Sequence, residues 1–186
     1  LLLKNLTYDQ ICHEHCVYYS LETFNKIINR NNLKIIDFKF NEINGGSIEV
    51  LCSKKNSKHK SNQIKINNLI KKEKKIGKKD FNKFNNRIEG SKKNLNLFLK
   101  NVKNTEVIGY GASTKGNVIL NYCGITNKNI RYICDANLSK EGKFTPGSEI
   151  KIISKIKMRR LKPKYLLVLI WSFKKEVIKQ EEKYIK

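Results

Sequence analysis

Apolar positions recur along this chain with three different spacings. Behind Ser20, a residue suited to cap a first turn, Phe24, Ile27 and Ile28 recur at helical intervals, so a helix is expected up to Asn31 and Asn32. Leu33 to Phe40 then alternates apolar and polar residues, which is a strand pattern. Asn44-Gly45-Gly46 signals a turn, and Ser47 to Cys52 reads as a second strand. A polar, lysine-rich run occupies positions 53–62. From Asn67 onward, Leu69, Ile70, Ile76, Phe81, Phe84, Ile88, Leu95, Phe98 and Leu99 are spaced for one or two amphipathic helices, with breaks expected at Gly77 and Gly90. Past Thr105 the pattern alternates. Val107-Ile108 leads into Gly109-Tyr-Gly-Ala-Ser-Thr-Lys-Gly116, and a helix follows through Tyr122. Ile130 to Cys134 forms a strand ending at Asp135, a loop carries Thr145-Pro146-Gly147, and a short helix lies around Lys155. Tyr165 to Trp171 is a continuous apolar strand, and a closing helix runs from Lys174 to the end. Strand–helix alternation implies a parallel sheet with helices on its faces, an α/β fold.

Composition narrows the possibilities. The 186 residues are enough for one ordinary domain or two small ones, and a 39% apolar share still supplies a core. The longest apolar stretch is the seven-residue Tyr165–Trp171 segment, far short of a membrane span, so no membrane partner is expected. The chain starts at Leu1 and its single methionine is Met158; it is therefore expected to begin partway through a longer protein. The formal charge of +23 raises the possibility of a basic nucleic-acid-binding protein. Against this, lysine outnumbers arginine 34 to 5, whereas base and phosphate recognition favours the bidentate guanidinium. Asparagine (23 copies) and isoleucine (24) are also abundant, and all three residues share A/T-rich codons. Compositional drift accounts for the charge, and no nucleic-acid partner is expected. Five cysteines, an odd number without a secretory signal, point to reduced thiols and a cytoplasmic location.

Three segments could carry chemistry. A strand, Gly109-x-Gly111 and a helix make the geometry in which backbone N–H groups approach a phosphate, and Asp135 stands where a ribose-binding acid is expected. Thr114 occupies the place of the third fingerprint glycine, while Ser113 and Lys115 add a hydroxyl and a cation beside the turn. These residues leave open an NAD(P)-dependent oxidoreductase, another nucleotide-binding module, or a tight turn that only permits close packing. In Tyr8-Asp-Gln-Ile-Cys-His-Glu-His15, two of the three histidines flank a carboxylate, a grouping suited to proton transfer near neutral pH. Cys12, His13, His15 and Cys16 are also possible zinc ligands, and on a helix Cys12, His15 and Cys16 would share a face. Four ligands within five residues strain a tetrahedron, however, so acid–base work is the preferred reading and no metal is assigned here. Asn44-Gly45-Gly46-Ser47 is fully explained as a hairpin turn.

Five stretches together resemble the sugar C-methyltransferases that act on nucleotide-linked keto-sugars: TYDQICHEHCVYYSLETF (7–24), NGGSIEV (44–50), VIGYGASTKGNVILNYCGI (107–125), YICDANLSKEGKFTPGSEI (132–150) and LLVLIWSFKKEVI (166–178). The resemblance implies a parent with a zinc-binding N-terminal domain, an S-adenosylmethionine (SAM)-binding Rossmann domain and a Rossmann-like C-terminal domain. On that plan 1–52 is the end of the SAM domain, 53–100 a helical connector and 101–186 the C-terminal substrate domain, with zinc and most SAM contacts in the part not present here. His15 aligns with the family's general base and Glu14 with its neighbouring carboxylate. Cys12 stands where a relative has tyrosine, so enolate stabilisation is in question there, with His13 a possible substitute. Asn44, Gly45, Gly46, Ser47, Gly109, Gly111, Ser113, Lys115 and Asp135 are expected to contact a nucleotide-diphosphate sugar. The resemblance leaves the oligomeric state open.

Overall fold

The computed structural model describes residues 1–184, which divide into two compact units. The first unit holds residues 1–7 and 13–86; the second holds Tyr8–Cys12 and the chain from Arg87 onward. Among the described residues, no helix is long and apolar enough to cross a membrane.

The first unit contains α1 (Leu2–Asn5), α2 (Leu21–Arg30), β1 (Leu33–Asn41), β2 (Ser47–Lys54), α3 (Gln63–Glu73) and the start of α4 (Lys78–Lys100). Ser20 caps α2 as its residue type predicts, accepting from Thr23 N at 3.1 Å. The Glu73 carboxylate accepts from Leu21 N at 2.9 Å, placing an anion on the positive end of the same helix. β1 and β2 pair antiparallel, with a bulge between Ile35 and Asp37. The bulge lets Ile35 and Phe38, three residues apart, both enter the core, and it frees Asp37 to pair with Lys65 at 2.7 Å. A lone two-stranded ribbon is marginal in water. Here Leu21, Ile28, Ile35, Phe38 and Ile66 close a core over it, joined by Leu69 and Ile70 of α3.

Two expectations for the middle of the chain need correction. α3 begins at Gln63, not Asn67, because the Asn62 side chain caps it by accepting from Lys65 N; the lysine-rich context hid this start. Gly90 does not break α4. It has a negative φ and nothing crowds it, so only the intrinsic glycine penalty of about 1 kcal/mol opposes the helix. The buried Phe84, Ile88 and Leu99 on the same helix outweigh that cost.

The second unit is built on a four-stranded parallel sheet of order β5-β4-β3-β6, comprising β3 (Val107–Tyr110), β4 (Tyr132–Asp135), β5 (Lys151–Ser154) and β6 (Tyr165–Val168). α5 (Thr114–Cys123), α6 (Lys155–Leu161) and α7 (Lys174–Glu181) complete it with the latter part of α4. All four residues of β3 are buried, as a central parallel strand requires. One face packs Leu99, Leu120, Ile125, Ile133 and Leu169, and the other packs Ile108, Cys134, Ile153, Met158 and Val177. β5 was not expected from sequence. The apolar strand expected over 165–171 pairs only as far as Val168 and gives way to a 3-10 turn over Trp171–Phe173. The closing helix is described to Glu181, and the last two positions of that expectation lie outside the described residues.

Glu181 locks α7 onto this sheet. Its carboxylate is fully buried and accepts from Tyr110 Oη at 2.8 Å, Arg159 Nε at 2.8 Å and Arg159 Nη2 at 3.1 Å. Burial pushes its pKa up, but the bonds from Arg159 and Tyr110 outweigh burial and leave it below the usual carboxylate range.

Candidate functional site

Strand order reverses direction at β3, because the chain moves from β3 to β4 and β5 on one side and later to β6 on the other. The crevice outside the carboxyl ends of β3 and β6 is where open sheets of this class take ligands. The glycine loop forms one wall. Gly111 has φ +93°, and a Cβ there would stand 2.6 Å from Ile170 Cγ2 on the opposite wall. A Cβ on Gly109 would lie 2.7 Å from Ile133 Cγ1, and one on Gly116 would lie 3.1 Å from Leu169 Cβ. Gly116 thus provides the close helix–strand contact that the fingerprint assigns to position 114.

Several polar groups of the loop are already engaged by the loop and by the segment that follows β4. Gly111 N donates to Cys134 O at 2.8 Å, and Gly116 N donates to the capping Ser113 Oγ at 3.0 Å. Asp135 uses both carboxylate oxygens: Oδ2 accepts from Ala112 N at 2.8 Å and Oδ1 from Asn137 N at 2.8 Å. Lys140 Nζ ties the arrangement together, reaching Ala112 O at 2.8 Å and Asp135 Oδ2 at 3.3 Å. A ribose-bearing cofactor, whether SAM or NAD(P), needs the strand-ending acid free for its hydroxyls. With Asp135 engaged in this way, the loop does not fit such a group. Lys115 is half-buried beside it.

A 3-10 turn over Tyr8–Gln10 packs on α5. Asp9, only 3% exposed, accepts from Trp171 Nε1 through Oδ2 at 3.0 Å, while its Oδ1 is buried without a hydrogen-bond partner. Burial raises the Asp9 pKa; the Trp171 bond, its own backbone N–H and the Lys115 charge oppose that rise only in part. The Tyr8 ring is tilted against Tyr122 at 5.7 Å, and its hydroxyl lies 3.9 Å from Cys123 Sγ. Sequence reasoning missed Asp9 and Trp171. The available signal was an acid four positions before His13 and a single tryptophan at a strand end.

The histidine segment itself is not helical. Residues 12–14 form a bend and turn and 15–20 are irregular, so Cys12, His15 and Cys16 share no helical face. Cys12 is half-buried and belongs to the second unit, whereas His13, Glu14, His15 and Cys16 are exposed in the first. The His15 ring meets Tyr18 edge-on at 6.4 Å, and Cys16 Sγ donates to His13 O at 3.8 Å. Among the described residues, no three His, Cys, Asp or Glu side chains gather as a metal cage. Val17, Tyr18 and Tyr19 beside the histidines are each about half exposed (57%, 49% and 56%). The turn at Asn44, Gly45 and Gly46 has positive φ at all three positions. Asn5 Nδ2 braces it by donating to Gly45 O at 2.8 Å, and Ser47 Oγ donates to Ile43 O at 2.8 Å.

Residues 42–186 match the profile of a family described as C-methyltransferase C-terminal domain. The chain is also 30% identical, over 189 aligned positions, to C-methyltransferase NovU of Streptomyces niveus. That alignment takes in 99% of this chain, histidine segment included, but 45% of NovU, so the chain spans about half the length of the curated relative it matches.

Proposed function

Because the chain belongs to the family of C-methyltransferase C-terminal domains, we propose that it is the substrate-handling half of a SAM-dependent enzyme that methylates a nucleotide-linked keto-sugar beside its ketone. The observation that carries this reading is the alignment with NovU over 99% of the chain, which includes the His13-Glu14-His15 sequence outside the profile match. SAM supplies the methyl group and would be held mainly, and the zinc that the resemblance implies wholly, by other parts of the parent enzyme. His15 is the general base. Its imidazole takes the proton from the carbon beside the ketone; the C–H pair becomes the enolate C=C bond as the carbonyl π pair moves onto oxygen, and that carbon is the nucleophile. Glu14, adjacent and also exposed, orients the ring and stabilises its cation. Cys12 and His13 are the nearest donors in sequence for the enolate oxygen, and a thiol is the weaker of the two. Lys115 offers a cation for the diphosphate. Ser113 and Asp135 would contact the nucleotide sugar only in addition to the loop bonds they already make. The exposed Val17, Tyr18 and Tyr19 fit a segment that faces the SAM-binding half.

Titration of the chain tests this reading against its rivals. Saturable binding of a dTDP-sugar is expected; saturable NAD(P) binding or a salt-steep affinity for oligonucleotides would replace it with an oxidoreductase or nucleic-acid reading. When the chain is combined with a SAM-binding half, His15→Ala should abolish methyl transfer while leaving SAM affinity nearly unchanged.

A further inference from the structure

We propose that Asp9 is a positioning residue: with Trp171 it fastens the Tyr8–Cys12 stretch, from which the catalytic histidine sequence departs, to the segment that follows β6. The inference rests on the function proposed above only for what the fastened segment does; the fastening is argued from the second unit alone.

Three observations carry it. The first is location: the Tyr8–Gln10 turn packs on α5, and its Asp9 bonds Trp171, three residues beyond the end of β6. The second is the cost of the group that holds the turn. Asp9 is a carboxylate, 3% exposed, with one oxygen bonded to the only indole in the chain and the other unpartnered. A half-satisfied buried acid is a poor way to fill a core, where an apolar side chain would serve better. It does supply a directional bond from the indole N–H that sets the register of a short segment against a strand end. The third is the thin backbone support at the end of the turn, past the Tyr8 contacts with Tyr122 and Cys123. Its own backbone gives it two bonds, Ile11 N to Tyr8 O at 2.9 Å and Cys12 N to Gln10 O at 3.1 Å, and beyond Cys12 the chain is irregular and exposed. Cys12 follows Asp9 by three positions, so freedom gained at Asp9 passes directly to the donors and base that come next. A displacement of about 1 Å at such groups is enough for a loss of about 100-fold.

Amide hydrogen exchange on the chain tests the fastening without any activity. In Asp9→Ala and in Trp171→Phe, the Ile11 and Cys12 amides should exchange at least about tenfold faster, while core amides such as Ile133 stay within about twofold. Asp9→Asn, which keeps an acceptor for the indole, should restore slow exchange. Unchanged exchange at Ile11 and Cys12, or an equal rise everywhere, overturns the proposal. In the enzyme assembled with its SAM-binding half, Asp9→Ala should lower kcat at least about tenfold, keep KM for the nucleotide sugar within about threefold, and be rescued by Asp9→Asn. Unaltered kcat in Asp9→Ala overturns the positioning role. An inactive wild-type enzyme would instead refute the methyltransferase reading and leave exchange to decide the fastening.

Discussion

Replacing Gly111 with alanine separates an architectural glycine loop from a ligand cradle. Gly111 sits at φ +93°, and its new Cβ would lie 2.6 Å from Ile170 Cγ2, 3.0 Å from Cγ1 and 3.3 Å from Cβ. The obstacle is a β-branched side chain with little χ1 freedom, so it does not swing aside cheaply. The backbone conformation alone costs an L-residue about 1–2 kcal/mol, and overpacking adds about 1–3 kcal/mol. A total near 3 kcal/mol would lower the melting temperature of a unit of this size by roughly 15 °C. Urea and thermal unfolding of the chain, followed by Trp171 fluorescence and far-UV circular dichroism, measure this loss. Ile170→Ala in the same background removes the collision but not the backbone cost, so the two changes should couple by about 1–2 kcal/mol in a double-mutant cycle. A Gly111→Ala loss below about 0.5 kcal/mol, or no coupling to Ile170, refutes the packing argument.

Glu181→Gln keeps an acceptor for Tyr110 but removes the charge that Arg159 binds, and should cost about 2 kcal/mol by chemical denaturation. Glu181 is held below the usual carboxylate range, so its contribution is present above the unfolded carboxylate pKa and is lost as pH falls through the folded value. The wild-type chain should therefore lose its advantage over Glu181→Gln in acid. Asp9 has the opposite sign: its pKa is raised, so its contribution favours the fold at low pH and fades as pH rises through the folded value, above the ordinary carboxylate range. Asp9→Asn should remove that slope, read from stability against pH.

Elements with a local signature were legible in the sequence. α2 showed its Ser20 cap and its periodic face, and β3 showed Val107-Ile108 leading into the glycine loop. Elements without one were not. β5 is four residues long and follows a polar loop whose Thr145 and Ser148 hydroxyls satisfy each other in the interior at 2.6 Å, a tertiary arrangement with no local signature. Gly90 misled because helix propensity is a weak prior beside burial of neighbouring turns. At the candidate site the residue types were visible, but their partners were not. Asp135 looked like a ribose acid because it ends a strand at the right distance from the glycines; that Ala112, Asn137 and Lys140 consume its oxygens depends on how the loops fold back. Asp9 and Trp171 lie 162 positions apart, a separation that no periodicity bridges.

The most direct test of the account is exchange of the sugar proton beside the ketone. The assembled enzyme is incubated in D2O with a nucleotide-linked keto-sugar, and deuterium at that carbon is followed for wild type and His15→Ala. The account predicts enzyme-dependent incorporation that falls by about 10²–10⁴-fold in His15→Ala with substrate binding retained. Equal incorporation by the two proteins would contradict it.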